Sequence, residues 1–166
     1  MVDLGRQRET AARVAELGVG IVTLPATNLF LQGRDRSMAT PRGLTAIGPL
    51  LEAGALVCAG ADNVRDPFNW LGAHDPVLVS QLLVSAGHTS VEQAWQMVSS
   101  TAHAVLGRGA STLEVGERGD VLAVQAATAR DAIATATDGR LVFRGGSLVS
   151  SVLVGEPEGL IRDLTT

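Results

Sequence analysis

A chain of 166 residues has room for one good-sized domain, or for one domain with a small appendage. At 46% hydrophobic and 18% charged it has a globular balance that excludes a disordered chain. With three Phe, two Trp and no Tyr, its core has to be built mainly from Ala, Val and Leu. The net charge of −4 is spread over 17 acidic and 13 basic residues with no basic block, which argues against nucleic acid as a partner.

A single cysteine, Cys58, rules out an internal disulfide and suits a reducing compartment. The opening residues lack the long apolar core of a signal peptide, and no apolar run reaches membrane-spanning length. The sequence therefore predicts a soluble, cytoplasmic chain with no membrane partner.

In chain order, residues 6–17 predict a helix with Ala11, Val14, Ala15 and Leu17 on one side and Gly18 as its stop. "VGIVTLP", rich in β-branched residues and bounded by Gly18 and Pro25, predicts a short strand buried on both faces. The polar stretch 26–41 is long for an idle connection, and loops of that size are often functional. "RGLTAIGPLLEAG" predicts the next helix, closed by Gly54 in a left-handed position, and "ALVCAG" a second buried strand. Asp75 and Pro76 form a helix start, with Asp as N-cap and Pro in the first turn, and that helix stops at Gly87. Thr89 and Glu92 have capping-box spacing for one further helix running to about residue 107.

From residue 110 the pattern changes. Gly116, Gly119, Gly139 and the pair Gly145-Gly146 separate "DVLAVQA", "RLVFRGG" and "SLVSSVLV", which predict an antiparallel sheet. Strands alternating with helices and followed by a small β unit predict an α/β fold. Its segments are an α/β piece over 1–109, a β unit over 110–155 and an acidic tail over 156–166.

In parallel α/β folds the site lies beyond the carboxyl ends of the strands. Asp62 ends the second apolar run there, in "AGADNVRDPFNWLG". A carboxylate so placed can coordinate a metal, act as a general base, or simply open a turn. Asn63 is open to similar readings as pocket or turn residue. Phe68 and Trp70 offer flat faces to a planar heterocycle or cover for the core. His74, His88 and His103 lack metal-site spacing, and Cys58 reads as a small core residue. No nucleophile elbow, phosphate loop or dinucleotide fingerprint is present. Spacing alone yields one candidate acid and no complete site.

The ordered blocks "LPATNLFLQGR", "PRGLTAIGPLLEAGALVCAGADNVRDPF" and "NWLG" resemble the cytosine-deaminase-like branch of the amidohydrolase superfamily, closely over residues 10–80 and more loosely through "TAHAVLG" and "LEVGERGDVLAV". The resemblance implies a (β/α)8 barrel with a small β domain and a divalent metal, zinc or iron. In the family that metal is held by a His-x-His after the first strand, histidines on the fifth and sixth, and an aspartate on the eighth. The two apolar runs match strands seven and eight, so the chain resembles the C-terminal part of such a barrel with part of the β domain. Asp62 then matches the metal-binding aspartate, which holds the water at the metal and takes its proton as it attacks the ring carbon bearing the amino group.

By the same resemblance Asn63 matches the adjoining substrate-pocket position, and Phe68 an aromatic that packs over the substrate. Asn28, Gln32 and Arg34 fall in the loop after strand seven and organise that loop or shape the pocket, and Asp66 fixes the Asp62 loop through Arg65 or a backbone amide. Ala61 departs from the Thr, Ser or His frequent among relatives. Regions matching strands one to six, with their histidines, are missing from the chain. The resemblance therefore implies a portion of an enzyme acting on C–N bonds of cyclic amidines, cytosine or a related amino-heterocycle, with the isolated chain inactive and not retaining metal. Two alternatives stand beside it: a subunit of a split barrel completed by a partner chain, and a non-catalytic remnant acting through self-association or protein binding.

Overall fold

The computed structural model describes residues 3–109, 112–135 and 139–152, and the chain divides into two compact units, Met1–Ser111 and Thr112–Thr166. The first unit runs α1 (Leu4–Glu16), β1 (Ile21–Thr23), α2 (Pro25–Leu31), α3 (Ile47–Glu52), β2 (Val57–Ala59), α4 (Pro76–Ser85), α5 (Val91–Met97) and α6 (Ser100–Val105). The second holds β3 (Val121–Val124), α7 (Ala129–Thr135), β4 (Arg140–Arg144) and β5 (Ser147–Val152). The architecture is α/β, as the sequence predicts. The predicted tail, 156–166, lies outside the described residues. No described helix is long and apolar enough to cross a membrane.

In the first unit, the Asp3 carboxylate accepts from the backbone N–H groups of Gly5 and Arg6 and so starts α1. Gly18, at φ 64°, turns the chain into β1. β1 and β2 pair in parallel, Ile21 with Val57, Val22 with Cys58 and Thr23 with Ala59. Ile21 N–H to the Leu56 carbonyl and Gly60 N–H to the Thr23 carbonyl continue the ladder at both ends. Parallel strands need a crossover, which α2 and α3 provide. α3 packs on α1, and α5 and α6 pack on β2. The core joins Val57, Cys58, Val77, Leu83, Ala94 and Met97, all buried. Two buried hydroxyls are satisfied: Thr23 donates to Thr45, and Ser80 to the Pro76 carbonyl one turn back.

Several expectations are corrected. The first strand is not buried on both faces: Val22 is 50% exposed while its neighbour Thr23 is fully enclosed. The polar stretch after Pro25 opens with α2 because Pro at the first helical position starts a turn there. The helix over 42–54 is confined to α3, although Gly54 does take the left-handed position at φ 76°. Leu17 falls beyond α1 and is exposed. The capping box is one residue later than predicted: Ser90 accepts from the Gln93 N–H while the Gln93 side chain accepts from the Ser90 N–H. The helix it opens breaks in two at Val98 and Ser99, where the Ser99 hydroxyl donates to the Trp95 carbonyl at 2.6 Å.

In the second unit β3, β4 and β5 form an antiparallel sheet in that order, with a bulge between Val142 and Phe143. Gly145 and Gly146, both at positive φ, make the two-residue turn between β4 and β5. Asp120 accepts the Gly145 N–H at 2.7 Å, which ties the start of β3 to that turn. This bond, aided by Arg118 and Arg144, holds the Asp120 carboxyl below the usual range. The sequence gives no warning of α7. Thr128 and Asp131 bond reciprocally at its start, and Ala132 and Ile133 are buried.

Candidate active site

β1 and β2 both run toward the loops that contain the candidate residues. After Thr23 the chain passes through Leu24 into α2, and after Ala59 it enters the irregular segment 60–75. Asp62, three residues past β2, is exposed and takes φ 61°, a left-handed conformation that a side chain rarely adopts. Aspartate tolerates it better than most residues. Such positions cluster where geometry serves function. No hydrogen bond to the Asp62 carboxylate forms among the described residues.

The order in this loop comes from Asp66. Its Oδ1 accepts the backbone N–H groups of Phe68 at 2.9 Å and Asn69 at 3.0 Å, and its Oδ2 accepts from Asn63 Nδ2. The Asn63 bond, followed by those two amides, holds the Asp66 carboxyl below the ordinary carboxylate range. The anchors are therefore a side-chain amide and two backbone amides, not Arg65. Asn69 is 3% exposed, and its carbonyl accepts the Gly72 N–H at 3.2 Å. At Gly72 a Cβ would overlap the carbonyl oxygen of Asn63. Residues 63, 66, 69 and 72 thus close one interlocked loop beside Asp62.

The aromatics divide. Trp70 meets Phe30 of α2 with ring centroids 6.4 Å apart and planes tilted at 55°, so the segments after the two strands touch through their rings. The Arg34 guanidinium lies 4.8 Å from the centre of the Phe30 ring. Gln32 packs where a Cβ on Gly43 would sit. Phe68 is 60% exposed, and its ring joins no aromatic pair among the described residues. Phe30, Asn69 and Gly72 were not singled out from the sequence. The signal for the last two in the sequence is "DPFNWLG", an asparagine among turn formers, whose burial only the structure shows.

Of the histidines, His74 follows Gly72 before the start of α4, His88 lies in the turn before α5 and His103 in α6. His88 takes φ 57° and faces Arg42, whose Nη1 also donates to the Ala86 carbonyl at 2.9 Å. Cys58 is buried in the core, and that burial pushes its thiol up. A cleft of about 300 Å³ is lined by residues of α3, the turn before α5 and Gln93 of α5, and none of the Asp62 loop borders it. Among the described residues no group of three His, Cys, Asp or Glu side chains is placed to hold a metal ion. A catalytic zinc takes three protein ligands, so Asp62 is at most one donor and the described residues do not fit a metal centre by themselves.

The model of the amidohydrolase family matches residues 3–154. A curated pterin deaminase of Rhizobium rhizogenes (strain K84 / ATCC BAA-868) is 32% identical over 160 residues, covering 90% of this chain and 36% of the relative. Among solved structures, 5-methylcytosine deaminase from Klebsiella pneumoniae, liganded with 5-fluorocytosine, superposes with a TM-score of 0.80 at 20% identity, over 93% of this chain and 38% of that one. Atrazine chlorohydrolase TrzN from Arthrobacter aurescens TC1, complexed with zinc, superposes with a TM-score of 0.61 at 20% identity, over 95% of this chain and 38% of that one. At these identities the two structures bear on the fold. The chain spans little more than a third of the length of the relatives it matches.

Proposed function

Starting from the fact that this chain belongs to the amidohydrolase family, we propose that it is the C-terminal portion of a hydrolytic deaminase of amino-heterocycles, with Asp62 as its catalytic residue. The observation that carries the reading is the place of Asp62, just past the carboxyl end of β2 in a strained backbone conformation and beside a loop held rigid by other residues. On this reading β1 and β2 are the seventh and eighth strands of a (β/α)8 barrel. The segment 1–109 is barrel, and 110–155 is part of a composite β domain. The parallel pairing of β1 with β2 is what adjacent strands of such a barrel require.

The Asp62 carboxylate accepts a proton from the water that attacks the ring carbon bearing the amino group, and returns it to the departing ammonia. Asn63 and Phe68 line the substrate pocket: the first offers a polar contact to the ring edge, and the exposed ring of the second offers a stacking face. The family implies a divalent metal. Since the described residues supply at most one ligand, the remaining ligands belong to the other barrel strands, and the isolated chain neither retains metal nor turns over substrate. Cytosine and pterin represent the substrate class.

The test has two arms. The purified 166-residue chain is assayed for ammonia release from cytosine and pterin, and so is the complete enzyme in which the chain is joined to the rest of its barrel. The reading predicts activity for the second alone, dependent on added zinc or iron and lost in Asp62→Asn. Turnover by the isolated chain above a metal-free control contradicts the assignment of the missing ligands. A metal-loaded, folded complete enzyme with no deaminase activity contradicts the function.

A further inference from the structure

Asp66 restricts what its neighbour can present. An ionised carboxylate only accepts hydrogen bonds, and an asparagine side chain has one donating and one accepting end. The backbone N–H groups of Phe68 and Asn69 already favour the ionised form of Asp66. The end of Asn63 that faces Asp66 is therefore the nitrogen, because the opposite rotamer would set oxygen against oxygen. Asn63 Oδ1 is left on the far side, and no donor takes it up among the described residues. The Asn63 backbone is held as well, with its carbonyl against Gly72 where even a Cβ does not fit.

We propose that Asp66 is a positioning residue that locks the Asn63 carboxamide with Oδ1 outward, so that this edge of the site is a hydrogen-bond acceptor. It selects heterocycles that bring an N–H to it, from a lactam ring nitrogen or an exocyclic amino group. The inference rests on the proposed function for its substrate, but the locked orientation stands on the loop geometry alone. A ring offering a bare nitrogen lone pair meets another lone pair there and loses the bond, a penalty of about tenfold in affinity. With Asn at position 66 an N–H would face Asn63, the carboxamide would turn over, and the edge would become a donor.

Hydrogen exchange of the side-chain amides in the ¹⁵N-labelled 166-residue chain tests the orientation without any need for turnover. The Asn63 Nδ2 protons are expected to exchange at least about tenfold more slowly than those of a free asparagine, and to lose that protection in Asp66→Asn. In the complete enzyme, Asp66→Asn raises KM about tenfold for whichever of cytosine and pterin is deaminated, with a smaller loss in kcat. Collapse of a merely structural loop would lower kcat at least as much. Unprotected Asn63 protons in the wild-type chain overturn the proposal, as does an unchanged KM in Asp66→Asn. Should Asp66→Asn not fold, the wild-type exchange result decides the orientation. A complete enzyme without deaminase activity defeats the proposed function and leaves the exchange result to stand for or against the lock.

Discussion

Asp62 and Asp66 stand four residues apart in opposite surroundings. Asp62 is exposed and sits in a left-handed conformation, while Asp66 holds three hydrogen bonds and a lowered pKa. A group whose folded-state pKa is depressed contributes stability that is present above its unfolded value and lost as pH falls through the folded one. The loop over 62–72 should therefore keep its amide protection through the ordinary range of carboxylate titration and lose it only at lower pH. NMR of the Asp66 carboxyl carbon checks this, and a midpoint at or above that of a free aspartate contradicts it. Gly72→Ala should lower stability by about 1–3 kcal/mol in urea denaturation, the usual cost of forcing atoms into filled space. Asp62→Gly should leave stability unchanged or raise it by up to about 1 kcal/mol, because glycine adopts positive φ freely. A larger loss would mean that Asp62 supports the fold rather than the chemistry.

Among the elements, α4 is where local chemistry and packing agree most closely. Asp75 accepts the Val77 N–H at 2.9 Å, Pro76 occupies the first turn, and Leu83 is wholly buried. Asp75→Ala should cost about 1 kcal/mol and Leu83→Ala about 2–5 kcal/mol, both read from denaturant midpoints. Elements of this kind were legible in the sequence because their signals are local: Gly18 and Gly54 at helix ends, the Asp75-Pro76 start, and the paired glycines between β4 and β5. What was not legible depended on contacts between distant residues or on competition within a turn. The 91–105 segment reads as one helix by periodicity, but Ser99 takes the Trp95 carbonyl and the helix breaks. α7 is only seven residues long and is held by its Thr128–Asp131 start and two buried side chains. In the candidate site, the place of Asp62 after a strand could be anticipated, whereas the Asn63–Asp66 lock and the Phe30–Trp70 contact obey no periodic rule.

For the whole molecule, the family match over residues 3–154 places the chain in the amidohydrolase family, and the chain spans little more than a third of the relatives it matches. Two parallel strands with Val22 half exposed, one strand-end carboxylate and no cluster of metal ligands among the described residues are what the proposed contribution to a larger site calls for. The role proposed for Asp62 is to move the proton. It is tested most directly by the steady-state rate of ammonia release from the complete, metal-loaded enzyme with Asp62 intact and as Asp62→Asn. In Asp62→Asn kcat should fall about 100- to 10,000-fold, as expected for loss of a general base, with the fold retained. A kcat within about threefold of the parent enzyme would contradict it.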